Sequence, residues 1–142
     1  MSCVRTFATF RIFSKTLSVN EISEIVGVKP TKATNRNVDA RRAAEREFTV
    51  WTLSSKASLD LVDEHEHINF LLNSLAGSVR ALARLRDEGC SMDVFCYFET
   101  DGQGGPSLTH VQMRTLSDLG LDIAWDLYIQ EQSQGSRENR EK

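Results

Sequence analysis

Asp60, Asp63, Glu64 and His67 recur at spacings of three and four, so on a helix they would share a face. Carboxylates beside an imidazole are a ligand set for a divalent cation. The same acids also open the helix they stand on, where they complement the positive end of its dipole without any ligand. His65 and His67 would point to different faces, and no metal site or cofactor is expected. His110 falls in the first turn of another helix with no Ser or Cys at a nucleophile–base spacing, so a triad is not indicated. Gly102, Gly104 and Gly105 lie between a strand and a helix, the setting of a phosphate-binding loop. Neither GxGxxG nor a Gly-Lys-Ser or Gly-Lys-Thr step is present, and Asp101 and Pro106 suit a turn instead.

Two constellations are more informative. Alternation in the strand 92–99 turns Met92, Val94, Cys96 and Phe98 one way and Asp93, Phe95, Tyr97 and Glu99 the other. The strand 121–129 divides likewise, with Ile123, Trp125, Leu127 and Ile129 assigned to the core and Asp122, Ala124, Asp126 and Tyr128 to the opposite face. If Ala8, Phe10 and Ile12 point inward, Thr9 and Arg11 join that face beside Phe7 and Phe13. Arg11, Asp93, Phe95, Tyr97, Glu99, Asp126 and Tyr128 then make an acidic and aromatic surface. Aromatic rings on an open sheet can stack nucleobases, but carboxylates this dense would repel phosphate, so nucleic acid is not the expected partner. Rings that anchor and acids that select point to a basic protein, or to rings that cover one another across a homodimer. The second constellation is the connection 29–47, where Lys29, Lys32, Arg36, Arg41, Arg42 and Arg46 outnumber Asp39, Glu45 and Glu47. Within it Arg36, Arg41 and Arg42 form a candidate anion-binding loop able to clamp a carboxylate or phosphate.

The elements that position these residues are well marked. The run 7–13 is aromatic and β-branched and reads as a strand. Ser18 and Glu21 form a capping box with a Leu17–Ile22 staple, and Gly27 followed by Pro30 stops the helix near Val26. The connection 29–47 is long, and connections of that length are usually functional or disordered, although 39–47 can form a short exposed helix. A strand follows at 48–55. Over 60–88, Ile68, Leu71, Leu72, Leu75, Val79 and Leu82 trace one buried stripe of a long helix, with acids at its start, arginines at its end and Gly89 as its stop. Gly77 inside that helix suggests a close backbone approach. After the strand 92–99 and the glycine loop, Thr109 and Gln112 repeat the capping box with Leu108 and Met113 as staple, Gly120 ends the helix, and 121–129 is the last strand. The order is β-α-β-α-β-α-β, with the flanking units alike enough to suggest a weak internal duplication. The expected fold is α+β, a two-layer sandwich of about four strands with helices on one face, ferredoxin-like pairing being the first topology to consider.

With 142 residues, 40% hydrophobic and 26% charged, the chain suits one α+β domain over 1–129, and the polar segment 130–142 reads as a disordered tail. The net charge of −3 offers no basic field for nucleic acid or anionic membrane. No apolar run nears the length of about 20 residues that spans a bilayer, and 1–5 is too short and polar to begin a secretory signal, so the expected location is cytoplasmic. The three cysteines, Cys3, Cys90 and Cys96, lack a CxxC spacing, which indicates neither a disulfide framework nor a zinc ribbon.

Several segments together resemble the bacterial family catalogued as domain of unknown function 4279: the opening strand, then 22–31, the strand Trp51-Thr52-Leu53-Ser54-Ser55, and the closing 119–123 and 125–128. The similarity covers about Thr6 to Ile129 and rests on the order and spacing of these segments. It departs from the family pattern at Lys32-Ala33-Thr34-Asn35-Arg36-Asn37, where an aromatic residue and a glycine are common. The resemblance implies an α+β fold in a bacterial cytoplasmic protein with no established activity, and it supplies no catalytic residues.

The functional expectation is a non-enzymatic binding or protein-interaction domain, dimeric or akin to an immunity protein, that uses the acidic and aromatic sheet face with the basic loop as a second contact. The alternative is a small hydrolase or metal-dependent enzyme built on Asp126, Glu99 and His110, which requires those groups to meet in a pocket.

Overall fold

The computed structural model describes residues 3–130, so the expectation for the polar segment beyond them lies outside the described residues. The chain runs β1 (Cys3–Ser14), α1 (Val19–Val26), β2 (Lys32–Thr34), α2 (Ala43–Glu47), β3 (Thr49–Ser54), α3 (Glu64–Ser74), α4 (Val79–Asp87), β4 (Ser91–Thr100), α5 (His110–Leu119) and β5 (Asp122–Ile129). It is an α+β fold built on one five-stranded sheet in the order β2-β3-β1-β4-β5. All neighbours are antiparallel except β4 and β5, which α5 connects as a parallel pair.

The topology corrects three expectations. The sheet has five strands, because β2 adds a short edge to β3 through Lys32↔Thr52 and Thr34↔Val50. Ferredoxin-like pairing is not formed: a split βαβ keeps another strand between its parallel pair, whereas β4 and β5 are direct neighbours. Nor do the flanking units repeat each other. The extra pass through β2 reverses the chain, so β3 pairs antiparallel with β1, while α5 returns β5 parallel to β4.

Both capping boxes form. The Ser18 hydroxyl accepts the Glu21 N–H at 3.2 Å and the Glu21 carboxylate accepts the Ser18 N–H at 3.1 Å; Thr109 and Gln112 do the same for α5. Gly27 (φ 74°) and Gly120 (φ 70°) take the left-handed conformation that ends these helices. Gln112 is buried, and its amide donates to the His65 carbonyl and to Asn69 Oδ1, fastening α5 to α3.

The long helix expected over 60–88 is two helices. Asp63 caps α3 by accepting the His65 N–H, and the chain breaks after Leu75, where the Ser78 N–H bonds the Leu75 carbonyl. A Cβ on Gly77 would meet nothing, so this glycine marks the break and not a close approach. The stripe persists through Ile68, Leu71, Leu72, Leu75 and Leu82, but Val79, one step past the break, is 46% exposed. Breaking there lets α3 lie on β1 while α4 packs beside α1 and α5. Apolar residues of α1, α3, α4 and α5 meet Ala8, Phe10, Ile12, Trp51, Leu53, Val94 and Cys96 in one core. Trp51 sits edge-on to Phe10, and its indole N–H donates to Ser23 Oγ at 3.0 Å, which ties β3 to α1. Among the described residues no helix is long and apolar enough to cross a membrane.

Candidate functional site

Because side chains alternate across each strand, the residues flanking that core belong to the other, uncovered face of the sheet. The register sets Phe7 beside Tyr97, Thr9 beside Phe95 and Arg11 beside Asp93, and continues Tyr97 to Asp126 and Glu99 to Tyr128. Arg11, Asp93, Phe95, Tyr97, Glu99, Asp126 and Tyr128 are therefore brought together on one surface, as the alternation predicted. The inward set of β5 is covered only in part. Ile123 and Trp125 pack on the core, but Leu127 and Ile129 are 56% and 71% exposed, because β5 is the sheet edge.

The face has two centres. In the first, the Arg11 guanidinium donates to both Asp93 oxygens, at 2.8 and 2.6 Å, and lies over the rings of Phe95 (4.3 Å to the centroid) and Phe13 (5.3 Å). A bidentate pair sandwiched by rings fixes its own geometry. The second centre is a ladder of rings: Phe7 and Tyr97 stack at 5.0 Å and 7°, and Tyr97 and Tyr128 at 5.0 Å and 29°. Arg5 covers Phe7 and Tyr97, and Lys56 covers Phe7. The Tyr97 hydroxyl donates to Glu99 at 2.7 Å, and Gln130 donates to the other Glu99 oxygen. That hydrogen bond to Glu99 holds the Tyr97 phenol above its ordinary pKa, and the charge of Asp126 does the same for Tyr128. Arg5 and Lys56 escaped the sequence reading. Continuing the alternation of Phe7, Thr9 and Arg11 two residues upstream finds Arg5, whereas Lys56 lies past the end of β3 and carries no periodic signal.

The connection between α1 and β3 is ordered. The Arg36 guanidinium donates to the Lys15 carbonyl, the Arg36 N–H to Thr49 Oγ1, and Arg46 to the carbonyls of Ala40 and Arg41. Arg36 thus gives one guanidinium nitrogen to the backbone, while Arg41 and Arg42 stand exposed at the start of α2. The expected short helix is α2, and it buries no residue. Together with β2 it walls a cavity of about 670 Å³ on the uncovered face, with Phe13, Ala40, Ala44, Phe48 and Val50 as its apolar lining. Lys32, Thr34, Asn35, Asn37, Glu45 and Ser91 supply its polar atoms. The sequence hid this cavity, because Ala40 and Ala44 reach the sheet only through the fold of the connection.

The enzyme constellation does not converge. Glu99 and Asp126 share the uncovered face, whereas His110 begins α5 in the helical layer on the other side of the sheet. Of the acids and histidine considered for a metal, Asp63 caps α3 and His67 is 2% exposed with both nitrogens hydrogen-bonded. Cys96 is buried, and burial pushes its thiol up to about 12, which fits a small core residue and not a nucleophile.

These features define an α+β domain whose sheet has one face in the core and the other carrying paired charges, stacked rings and a walled cavity. The chain belongs to the family described as domain of unknown function (DUF4279), whose match covers residues 4–130. No curated protein and no solved structure gave a significant match.

Proposed function

We propose that this is a non-enzymatic interaction domain, and that the uncovered sheet face is its contact surface with a second copy of the chain. The observation that carries the reading is the division of charge across the ring ladder. Arg5 and Lys56 lie on the β1 and β3 side, and Glu99, Asp122 and Asp126 on the β4 and β5 side, while Arg11 and Asp93 are paired with each other. A two-fold axis parallel to the strands and lying in the contact plane superposes the cationic side of one copy on the acidic side of the other. Such an isologous contact is satisfied twice by the same residues. Phe7, Tyr97 and Tyr128 then meet their counterparts near the axis, where aromatic anchors contribute most. The same operation carries the basic connection, with Arg41 and Arg42, toward the Asp122 corner of the other copy.

Sedimentation over a concentration series tests this. The chain is expected to dimerise, and Arg5→Glu or Asp126→Arg alone to weaken the dimer by about tenfold, because each sets like charges face to face. Mixing the two variants restores association, since each then supplies the charge the other lacks. A monomer at every concentration, or reversals without effect in either direction, refutes the reading.

A further inference from the structure

The cavity between the sheet and the α1–β3 connection is separate from the ring ladder, and its chemistry is specific. Its volume, about 670 Å³, suits one small molecule. Phe13 and Phe48 meet nearly at right angles (6.2 Å between centroids, 82°), an aromatic corner in which a planar ring can stack on one and meet the edge of the other. Val50 and Ala44 complete the apolar lining.

The polar lining is set up to donate. Asn35 Oδ1 already accepts the Val19 N–H at 2.8 Å, and Asn37 Oδ1 accepts the Asp39 N–H at 2.9 Å. Each amide is thereby oriented, and its NH2 is the group it can turn to a ligand. Lys32 adds a cation to the same lining. Lys15 stands 5.5 Å from the Phe48 centroid and reinforces the positive field, whereas Glu45 is the one carboxylate among the lining residues. An apolar corner beside two oriented NH2 groups and an ammonium matches a flat apolar body that ends in a carboxylate.

We propose that this cavity binds a small aromatic carboxylate, its ring against Phe13, Phe48 and Val50 and its carboxylate held by Lys32, Asn35 and Asn37. Two sources share that chemistry, a plain aromatic acid and an aromatic amino acid, and they differ in an ammonium that Glu45 would take up.

Calorimetric titration of the full chain with indole-3-acetate, tryptophan and the neutral indole-3-ethanol tests the proposal. Saturable binding of at least one acid, about tenfold or more tighter than the alcohol, is expected. Tryptophan exceeding indole-3-acetate assigns the ammonium to Glu45; the reverse order assigns a plain acid. Lys32→Gln and Asn37→Asp are expected to lower acid affinity about tenfold while leaving the alcohol unchanged. Asn37→Asp keeps the oxygen that accepts the Asp39 N–H, so a lost fold would not explain its effect, and a thermal melt of each variant verifies this. Equal affinity for acid and alcohol, no saturable binding of any probe, or variants that bind the acids as the parent does would overturn it.

Discussion

Ser55 and His67 stand at the distance of a nucleophile and its base, and the structure predicts that they act only as a structural pair. Ser55 Oγ lies 2.6 Å from His67 Nδ1, and His67 Nε2 lies 2.7 Å from the Leu61 carbonyl oxygen. A carbonyl can only accept, so the ring proton sits on Nε2, and Nδ1 accepts from the Ser55 hydroxyl. Ser55 Oγ in turn accepts the Ala8 N–H at 2.9 Å, which extends the β1–β3 ladder one residue past β3. Ser55→Ala leaves that buried N–H without a partner, a cost of about 1–3 kcal/mol. His67→Phe costs about 1–3 kcal/mol, because the larger ring must be fitted into a buried site, although the Ser55 proton can turn to the Ala8 carbonyl oxygen 3.2 Å away. His67→Ala adds a cavity and reaches about 3 kcal/mol. In a double-mutant cycle Ser55→Ala and His67→Phe are expected to couple by about 1 kcal/mol. Urea unfolding followed by tryptophan fluorescence measures these energies, and imidazole nitrogen shifts report the tautomer. A coupling below about 0.3 kcal/mol, or a proton found on Nδ1, would refute the assignment.

The two tyrosines of the chain, Tyr97 and Tyr128, are expected to ionise above the ordinary value of about 10 in an ultraviolet pH titration, and Glu99→Gln to bring Tyr97 back toward it. Since the folded pKa values are raised, this contribution to stability is complete below about pH 10 and is lost as the pH rises through the raised values. A Tyr97 midpoint that ignores Glu99→Gln would remove the stated cause. Gly120→Ala is expected to cost more than Gly27→Ala. Both force a side chain into the left-handed region, at about 1 kcal/mol, but only at Gly120 would the new methyl land on the Arg86 guanidinium, which donates to the carbonyls of Leu119 and Gly120. Urea unfolding of both variants decides it, and equal losses would show that the Arg86 clamp contributes nothing.

What could be read from the residues was what depends on near neighbours. Ser18 with Glu21 and Thr109 with Gln112 fix two helix starts by hydrogen bonds that span three residues, and the alternation in β1 and β4 assigns Arg11, Asp93, Phe95, Tyr97 and Glu99 to one face. The misses depend on distant partners. Lys32-Ala33-Thr34 is too short to alternate and becomes a strand only because β3 offers it an edge. The break after Leu75 is hidden because the apolar spacing runs on into α4, where Leu82 is buried but Val79 is not. Leu127 and Ile129 alternate correctly, yet alternation cannot tell where the helical layer stops.

The connection between α1 and β3 bears most on function, because, although Val28 and Ala33 pack against the core, its α2 half buries no residue there. A chain joining α1 to β3 could be far shorter, and shortening a loop changes its closure entropy only slowly. Here the segment instead forms β2, turns through Asn37 and builds α2, a helix that buries nothing. Around α2 its hydrogen bonds are local and polar, Arg46 to the carbonyls of Ala40 and Arg41 and the Asn37 N–H to the Glu45 carbonyl, whereas β2 and Arg36 tie the segment's first half to β3 and to the Lys15 carbonyl. Each bond of this kind contributes only about 1 kcal/mol, against a backbone ordering cost of similar size per residue. The part around α2 therefore adds little net stability, while it places Ala40, Ala44 and Asn37 around a cavity whose floor is Phe13 and Val50 of the sheet. Structure that is maintained at no gain to the core is the kind that binding makes use of, and it sets the cavity wall apart from the apolar residues that hold the sheet to its helices.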